Sequence, residues 1–392
     1  MLGQAPLDFL SDELNRRYAY TKPAIQRALQ MQVPHGLLDF PLANFSELAL
    51  VASPLLSQRL QSAALDLCSA LQPRFLAQNC IAVGWPFAVD ADVLTVDYAI
   101  AHSASDASGW SLRLVEFQAF TSLLMSAKLI QEAHASLFPE LSDHLAWQSS
   151  NENWELACQA WLAGAEGSVL LEQRAYQRPT TFDLILTAHR LGLSIVEPTQ
   201  LLHEGSRLFV RNPDGSKKQI HKILNRLILD ELDTHDPVQK MLRQANLDWH
   251  NHPAWYRQIQ KGVQPELKLR QEPPCVLASD WRSLGLPASE LVAKPIFSYG
   301  GAGILFAPEA STLDHLARPE HYLVQRRFQA YPIMQASDGA DLYAEIRLII
   351  RIKSGLPWIA MQFARVFRGQ RASASQLQGL PGEGMTVLYN VR

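Results

Sequence analysis

Apolar residues recur at two different spacings along the chain, and each spacing predicts a different kind of element. Between residues 55 and 71, leucine and alanine recur every three or four positions, which predicts a helix that ends before Pro73. From Val93 the spacing becomes two, so residues 93–100 and 111–118 are predicted strands joined by a Ser/Ala/Asp/Gly loop. The pattern therefore predicts a helical scaffold followed by a sheet.

The most regular predicted strand covers residues 342–352. Alternation puts five apolar side chains on one face: Ala344, Ile346, Leu348, Ile350 and Ile352. The opposite face carries Glu345, Arg347 and Arg351. We expect a strand with one buried face and one charged face, followed by a second strand over residues 358–366.

Residues 168–232 have the pattern of a small α/β unit. A strand at 168–171 precedes a helix over 180–191 that ends at Gly192, and a second strand follows at 193–196. The turn around residues 212–215 then predicts a hairpin. We interpret this unit as an inserted substrate-recognition domain.

Length and composition indicate several folded units. The chain has 392 residues, 47% hydrophobic and 19% charged, which is the composition of a folded protein too long for one core. We predict an α/β (α+β) architecture in three parts, with boundaries at 1–165, 166–235 and 236–392. The middle part is the α/β unit.

Charge and cysteine content limit the partners and the compartment. The 35 basic and 38 acidic residues leave a net charge of −3, so no general attraction to nucleic acid or an anionic membrane is expected. The four cysteines form no CxxC pair, which argues against a zinc module or a disulfide framework. No signal peptide or membrane-spanning run is evident, so the expected location is the cytoplasm.

A glycine-rich segment follows an apolar run that ends in a lysine. Lys294 lies six residues before Gly300, Gly301 follows directly, and Gly303 precedes a second apolar run. The pattern predicts a β-hairpin whose tip offers unobstructed N–H groups to phosphate oxygens, with Lys294 supplying positive charge. It is neither a Walker loop nor a dinucleotide fingerprint, which would need a glycine at Phe306. The alternative is an ordinary β-turn beside a surface lysine.

An acid and an amide end the strand at 111–118. By simple alternation, Glu116 and Gln118 face the same way as Leu112 and Leu114. Two oxygen donors side by side suit Mg²⁺, and Asp97 adds a third if the two strands pair. The alternative is a solvated strand end without metal.

A helix is predicted over residues 121–134, directly after this pair. Thr121 or Ser122 would cap its start. The same helix terminus also suits a substrate carboxylate or phosphate, and the two roles are compatible.

The order of these features resembles a known family. Asp97 comes first, then Glu116 and Gln118, then the α/β unit, then Lys294 with its glycine hairpin. This order resembles the circularly permuted ATP-grasp ligases typified by eukaryotic glutathione synthetase and glutathionylspermidine synthetase. The resemblance implies an ATP-grasp fold in circularly permuted order with an inserted α/β substrate domain.

The resemblance also implies site residues. The metal ligands would be Asp97, Glu116 and Gln118. The nucleotide contacts would be Lys294, Ser298, Gly300, Gly301, Gly303, Gln325 and Glu345. The catalytic and substrate-binding side chains would be Arg226, Lys294 and Arg365. A second closing loop would contain Gly382 and Gly384.

Two departures from the family bear on the substrate and the metal. Gln118 stands where the family has asparagine, and the glycine loop has Ser298 or Tyr299 where glutathione synthetases have a metal-binding glutamate. Both changes bear on the cation site. The short chain and the lack of close matches to the glutathione-binding residues argue against glutathione as the product. The implied activity is an ATP- and Mg²⁺-dependent carboxylate–amine ligase that passes through an acyl phosphate. Its partners would be a small-molecule carboxylate, an amine and a second copy in a homodimer.

Two other functions fit the same sequence. One is an ATP-binding regulatory protein that kept the fold and lost ligation, which the changes at Gln118 and Ser298 favour. The other is a kinase-like phosphotransferase, which would make a phosphate ester in place of an amide.

Overall fold

The computed structural model describes residues 4–8, 11, 13, 17–33, 45–87, 89–141, 144, 146, 154–164, 166–212, 214–232, 236–271, 273–298, 301–369 and 379–390. The predicted lid glycine Gly300 lies outside these ranges, as do Tyr299 and residues 370–378 of the predicted closing loop.

Strands account for most of the regular structure after residue 90. In chain order the described strands are β1 (Leu50–Ala52), β2 (Val93–His102), β3 (Trp110–Gln118), β4 (Ser168–Leu171), β5 (Ser194–Val196), β6 (Leu201–Glu204), β7 (Arg207–Arg211), β8 (Lys217–Ile220), β9 (Lys222–Asn225), β10 (Asp248–His250), β11 (Cys275–Leu277), β12 (Leu291–Pro295), β13 (Leu305–Phe306), β14 (Tyr322–Arg326), β15 (Met334–Gln335), β16 (Asp341–Lys353), β17 (Leu356–Arg368) and β18 (Gly384–Asn390).

The described α-helices lie mainly in the first two thirds of the chain. They are α1 (Tyr18–Gln32), α2 (Pro54–Leu71), α3 (Ala77–Ile81), α4 (Leu124–Leu137), α5 (Trp154–Leu162), α6 (Thr181–Leu191), α7 (Pro237–Gln244), α8 (Pro253–Gln258), α9 (Gln264–Leu267) and α10 (Ala310–Asp314). None of these helices has the length and apolar content needed to cross a membrane. Helix α2 confirms the predicted helix, and the Ser53 hydroxyl caps it by accepting from the Leu56 amide at 3.2 Å.

A mixed sheet forms the centre of the molecule. Its strand order is β1–β18–β17–β16–β2–β3, and the short strand β15 also pairs with β16. Strand β1 runs parallel to β18, and the other neighbours are antiparallel. The two long strands β16 and β17 therefore connect segments that are far apart in sequence.

The two faces of the central sheet are covered differently. The five apolar residues predicted on one face of β16 all belong to a core that includes the buried side of α2, which confirms that prediction. On the opposite face, α1 and α4 pack over a second core that includes Ile349 and Met361. Beyond the end of α4, this second face carries Asp97, Glu345 and Arg347 in place of apolar residues. A charged area is thus left at one end of a buried sheet face.

Three smaller sheets accompany the central one. The parallel sheet β10–β9–β4–β5 confirms the predicted α/β unit, and the antiparallel sheet β6–β7–β8 contains the predicted hairpin. Strand β10 joins the parallel sheet although it lies beyond residue 235, where the predicted domain boundary stays a prediction. The antiparallel sheet β11–β14–β12–β13 has its own small core around Trp281 and Val324.

Candidate functional site

A cleft lies between the charged end of the central sheet and the β11–β14–β12–β13 sheet. It contains about 970 Å³ of empty space, part of it open to solvent. The lining residues from the central sheet and the segment beside it are Ala99, Val115, Glu116, Arg327, Phe328, Ala330, Ala344, Glu345, Arg347, Arg365 and Phe367. Those from the small sheet and its hairpin are Val292, Lys294, Gly301, Ile304 and Phe306. Glu116 and Lys294, 178 positions apart in sequence, therefore share one cleft, as predicted.

A β-bulge brings Glu116 into this cleft. In the register of β2 with β3, Tyr98 pairs with Leu114 and Asp97 with Glu116, so Val115 is an extra residue on β3. Leu114 packs in the core, whereas Glu116 lines the cleft on the other face. The prediction that Glu116 faces the same way as Leu114 is therefore wrong, because the bulge reverses the alternation.

Two lysines approach Glu116 from the small-sheet side. Lys294 is buried and its Nζ donates to the Val115 carbonyl at 2.9 Å, so it is anchored at the bulge. Lys261, also buried, donates from Nζ to Glu116 Oε2 at 3.4 Å and to the Ser298 carbonyl at 3.0 Å. Burial lowers the pKa of Lys294 to about 8, against the opposing effect of Glu116.

The glycine hairpin covers this part of the cleft. Strands β12 and β13 pair through Val292 with Phe306, which confirms the predicted hairpin. Gly303 has φ +72°, and a Cβ there would lie 2.9 Å from Pro295 Cγ, so the tip geometry needs glycine. The Ser298 hydroxyl donates to the Pro295 carbonyl at 3.0 Å and accepts from Lys261 Nζ at 3.2 Å. Lys261 thus connects the hairpin to Glu116.

Asp97 is held by an arginine. Arg347 donates from Nε to Asp97 Oδ1 at 2.6 Å and from Nη2 to Asp97 Oδ2 at 2.5 Å. Both side chains are mostly buried, with 12% of Arg347 and 2% of Asp97 exposed. Both oxygens of Asp97 are therefore engaged by one guanidinium, and the metal-ligand role of Asp97 stays a prediction.

The two glutamates that line the cleft differ in charge state. Burial would raise the pKa of Glu116, but the charges of Lys261, Arg347 and Lys294 hold it below its usual value. Burial raises the pKa of Glu345 to about 7, although Arg365 Nη1 donates to its Oε1 at 3.1 Å. Glu116 is a fixed carboxylate at neutral pH, whereas Glu345 is close to its titration point.

Six predicted site residues within the described ranges are not among those that line the cleft. The contacts of Asp97, Ser298 and Gly303 are given above, and the other three are Gln118, Gln325 and Arg226. Gln118 pairs with Thr95 at the end of β3. Gln325 is buried on β14, and neither atom of its amide has a hydrogen-bond partner within the described chain. Arg226 is also buried, and its Nη1 donates to Asp183 Oδ2 at 3.1 Å. The roles of these three residues stay predictions.

The start of α4 is capped by a side chain of α6. The amides of Leu123 and Ser126 donate to Asp183 at 3.0 and 3.2 Å, and Leu123 itself has φ +66°. The prediction that Thr121 or Ser122 caps this helix is wrong, because the Asp183 carboxylate already occupies the helix terminus. Arg226 completes the ion pair at that carboxylate.

The described residues contain no group of three or more His, Cys, Asp or Glu side chains placed to hold a metal ion. A site made from protein ligands alone is therefore not present in that part of the chain. Among the described residues that line the cleft, Glu116 and Glu345 are the two that carry carboxylates.

Comparison with known proteins gives a match in structure. No protein-family model and no curated protein matches the chain by sequence. A similar solved structure is that of a glutathione synthetase-like effector from Globodera pallida in apo form. The TM-score is 0.56 at 11% identity, over 95% of this chain and 98% of the effector chain. The fold is glutathione synthetase-like.

Two residues that contact the predicted site were not assigned from the sequence: Lys261, which pairs with Glu116, and Arg347, which lines the cleft. Lys261 lies in residues 249–268, which have no clean periodicity, so no local pattern distinguishes it. Arg347 was placed correctly on the charged face of β16 but received no role. The alternation of Arg347 with apolar residues along β16 indicated its face of the sheet. Its partner Asp97 is identified only by the pairing of β16 with β2.

Proposed function

We propose that the chain is an ATP-grasp ligase, in circularly permuted order, that joins a small-molecule carboxylate to an amine and releases ADP and phosphate. The glutathione synthetase-like fold supports a ligase, and the order of Glu116 before Lys294 in the chain supports the permutation. Because the similar structure belongs to an effector at 11% identity, the activity must be argued from the cleft itself.

One observation carries the proposal: Lys294 and the glycine hairpin face the charged end of the central sheet across one cleft, and a second buried lysine, Lys261, pairs with Glu116 beside it. Lys261 and Lys294 both lie within electrostatic reach of Glu116. Buried cations without a matching number of free carboxylates favour a bound polyanion, and the triphosphate of ATP is such a group. The hairpin amides would add neutral donors to the same phosphates.

The reaction that fits this arrangement has two steps. The substrate carboxylate attacks the γ-phosphorus of ATP, which forms an acyl phosphate and releases ADP. The amine then attacks the acyl carbon and displaces inorganic phosphate, forming an amide. Lys261 and Lys294 would stabilise charge on the transferred phosphoryl group, and the hairpin would exclude water from the acyl phosphate. Arg365 would orient the substrate carboxylate.

The cleft also offers a plausible place for Mg²⁺. This ion keeps several waters and needs only one or two protein carboxylates beside the substrate phosphates. Glu116 and Glu345, which both line the cleft, would supply them. Bound Mg²⁺ would neutralise developing charge on the phosphate oxygens. Asp97 would join the set only after leaving Arg347, and Gln118 only after turning toward the cleft.

The first test measures ADP release with ATP, Mg²⁺ and pooled carboxylates and amines, followed by mass spectrometry of the product. We expect substrate-stimulated ADP release and an amide product from the parent protein. Glu116→Ala should lower the rate on the order of 100-fold, because it removes a carboxylate that would hold Mg²⁺ at the phosphates. The exposed Glu204→Ala variant serves as the control and should match the parent. Equal rates in the parent and Glu116→Ala would exclude the proposal.

A second candidate is an ATP-binding protein without ligase activity. The ion pair of Asp97 with Arg347 favours it, because both oxygens of a predicted metal ligand are already engaged. Saturable ATP binding by calorimetry, with no turnover across a broad substrate panel, would establish this function. A stable phosphate ester as the product would instead indicate the phosphotransferase.

The affinity for ATP should depend on pH through Lys294. Its pKa of about 8 in the free protein means that it loses its proton as the pH rises through 8. Bound phosphates favour the charged lysine and raise that pKa, so binding above pH 8 requires proton uptake. We expect affinity to fall by up to about tenfold per pH unit between pH 8 and 9.5. Calorimetric titrations with Lys294→Arg, which stays charged, should lack this decline.

A further inference from the structure

A second pocket lies at the free edge of β3, away from the cleft. Its lining is Arg59, Ser62, Ser103, Ser105, Asp106, Ser111, Leu112, Arg113, Arg270 and Gln271. We name it the serine–arginine pocket. It holds about 900 Å³ of empty space, part of it open to solvent, and none of these residues lines the cleft. Three arginines and four serines in one pocket offer an unusual number of hydrogen-bond donors.

One acid and one arginine of this pocket neutralise each other. Arg59 donates from Nη2 to both oxygens of Asp106 at 2.8 and 2.9 Å. The Asp106 carboxylate also accepts from the amide and the hydroxyl of Ser108 at 2.9 and 2.7 Å. The Arg59 hydrogen bonds lower the pKa of Asp106 to about 2, so this carboxylate stays charged and fully engaged. Asp106 therefore leaves no acceptor for the other arginines.

Two positive charges remain in the serine–arginine pocket. Within the described chain, the guanidiniums of Arg113 and Arg270 make no hydrogen bond, ion pair or ring contact. Arg113 is partly exposed and Arg270 is exposed, so both charges are accessible to an anion in the pocket.

A buried hydroxyl lies on the same face of β3. Ser111 is two positions from Arg113, and its Oγ is buried with no hydrogen-bond partner within the described residues. Segment 270–271 is held against the strand, because the Leu114 amide donates to the Gln271 carbonyl at 2.9 Å. Arg270 is thereby kept beside Arg113 and Ser111 by backbone pairing.

We propose that the serine–arginine pocket is a second anion site that binds a phosphate group, separate from the nucleotide cleft. Two free guanidiniums match the two charges of a phosphate dianion, and the guanidinium fork matches its oxygen geometry. The unpartnered Ser111 hydroxyl would donate to a third oxygen. The phosphate would come either as the free ion or as the terminal group of a phosphorylated metabolite.

The test is calorimetric titration of the full chain carrying Lys294→Ala, which weakens phosphate binding in the cleft. The probes are inorganic phosphate, glycerol 3-phosphate and succinate. We expect saturable binding of one or both phosphate compounds, and their relative affinities distinguish the free ion from a phosphorylated metabolite. Arg113→Gln and Arg270→Gln should each weaken binding by at least about tenfold. Arg27→Gln, at an exposed helical arginine outside the pocket, should leave the affinity unchanged.

The Ser111→Ala variant provides a second test of the serine–arginine pocket. This change removes a buried hydroxyl without a partner, so thermal stability without phosphate should not fall, while phosphate affinity should fall several-fold. No saturable phosphate binding, or equal binding in the Arg113→Gln and Arg27→Gln variants, would overturn the proposal. Succinate binding as tight as phosphate would overturn the assignment of a phosphate site.

Discussion

Asp97→Ala is expected to destabilise the protein by about 3 kcal/mol. Removing one partner of a buried ion pair leaves an uncompensated charge and costs about 3–5 kcal/mol. The lower end applies, because Arg347 also interacts with the charges of Glu116 and Glu345. Urea unfolding should show a lower midpoint with an unchanged dependence of the unfolding free energy on urea.

Two controls separate this effect from a general loss of charge. Lys217 and Glu204 form an exposed pair, with 45% and 47% of their side chains accessible, so Glu204→Ala should leave the urea midpoint close to that of the parent. The double variant Asp97→Leu with Arg347→Met replaces the pair by apolar groups and should recover most of the lost stability. If Asp97→Ala lowered the urea midpoint no more than Glu204→Ala does, the ion pair of Asp97 with Arg347 would not stabilise the sheet.

Lys261→Ala and Lys294→Ala should each lower the rate of ADP release on the order of 100-fold or more. Both lysines are buried beside Glu116, where a positive charge acts on phosphate oxygens with little screening by water. The two variants should differ in their other effects. Lys261→Ala also removes the contacts that connect Ser298 to Glu116, so it should loosen the hairpin.

The rates are measured at saturating ATP, with Lys353→Ala as the matched control at an exposed lysine of β16. Hydrogen exchange near Ser298 should increase more in Lys261→Ala than in Lys294→Ala, because Lys261 bonds to Ser298 directly whereas Lys294 bonds to Val115. Full activity in both lysine variants would mean that the cleft does not hold a transferred phosphoryl group. Equal exchange in the two variants would contradict the anchoring role of Lys261.

Local patterns predicted the elements that depend on periodicity. The alternation on β16 identified its buried face, and the spacing of leucines identified α2, because burial of one side imposes a period on the chain. The glycines after Lys294 also identified the hairpin, since the turn at Gly303 needs a left-handed residue. The meeting of Lys294 with Glu116 was expected from the resemblance to the permuted ATP-grasp ligases, and both residues line the cleft.

Other features arise from contacts between distant segments. The helix terminus at Leu123 is capped by Asp183, 60 positions away, so nothing near residue 123 indicates the cap. Arg347 pairs with Asp97 across neighbouring strands, which becomes visible only when the sheet order is known. Lys261 lies in a segment without periodicity and gains its place through contacts with Glu116 and Ser298.

The sequence alone determined where strands, helices and the glycine hairpin form, and which faces of β16 are apolar or charged. The tertiary structure decided which charged groups meet. The clearest case is the extra residue Val115, which turns Glu116 from the core side to the cleft side of β3. The sequence around Val115 does not by itself indicate a bulge, because the bulge depends on the register of β3 with β2 and on how β3 packs. Side-chain periodicity is a local property, whereas register and long-range ion pairing depend on the whole folded chain.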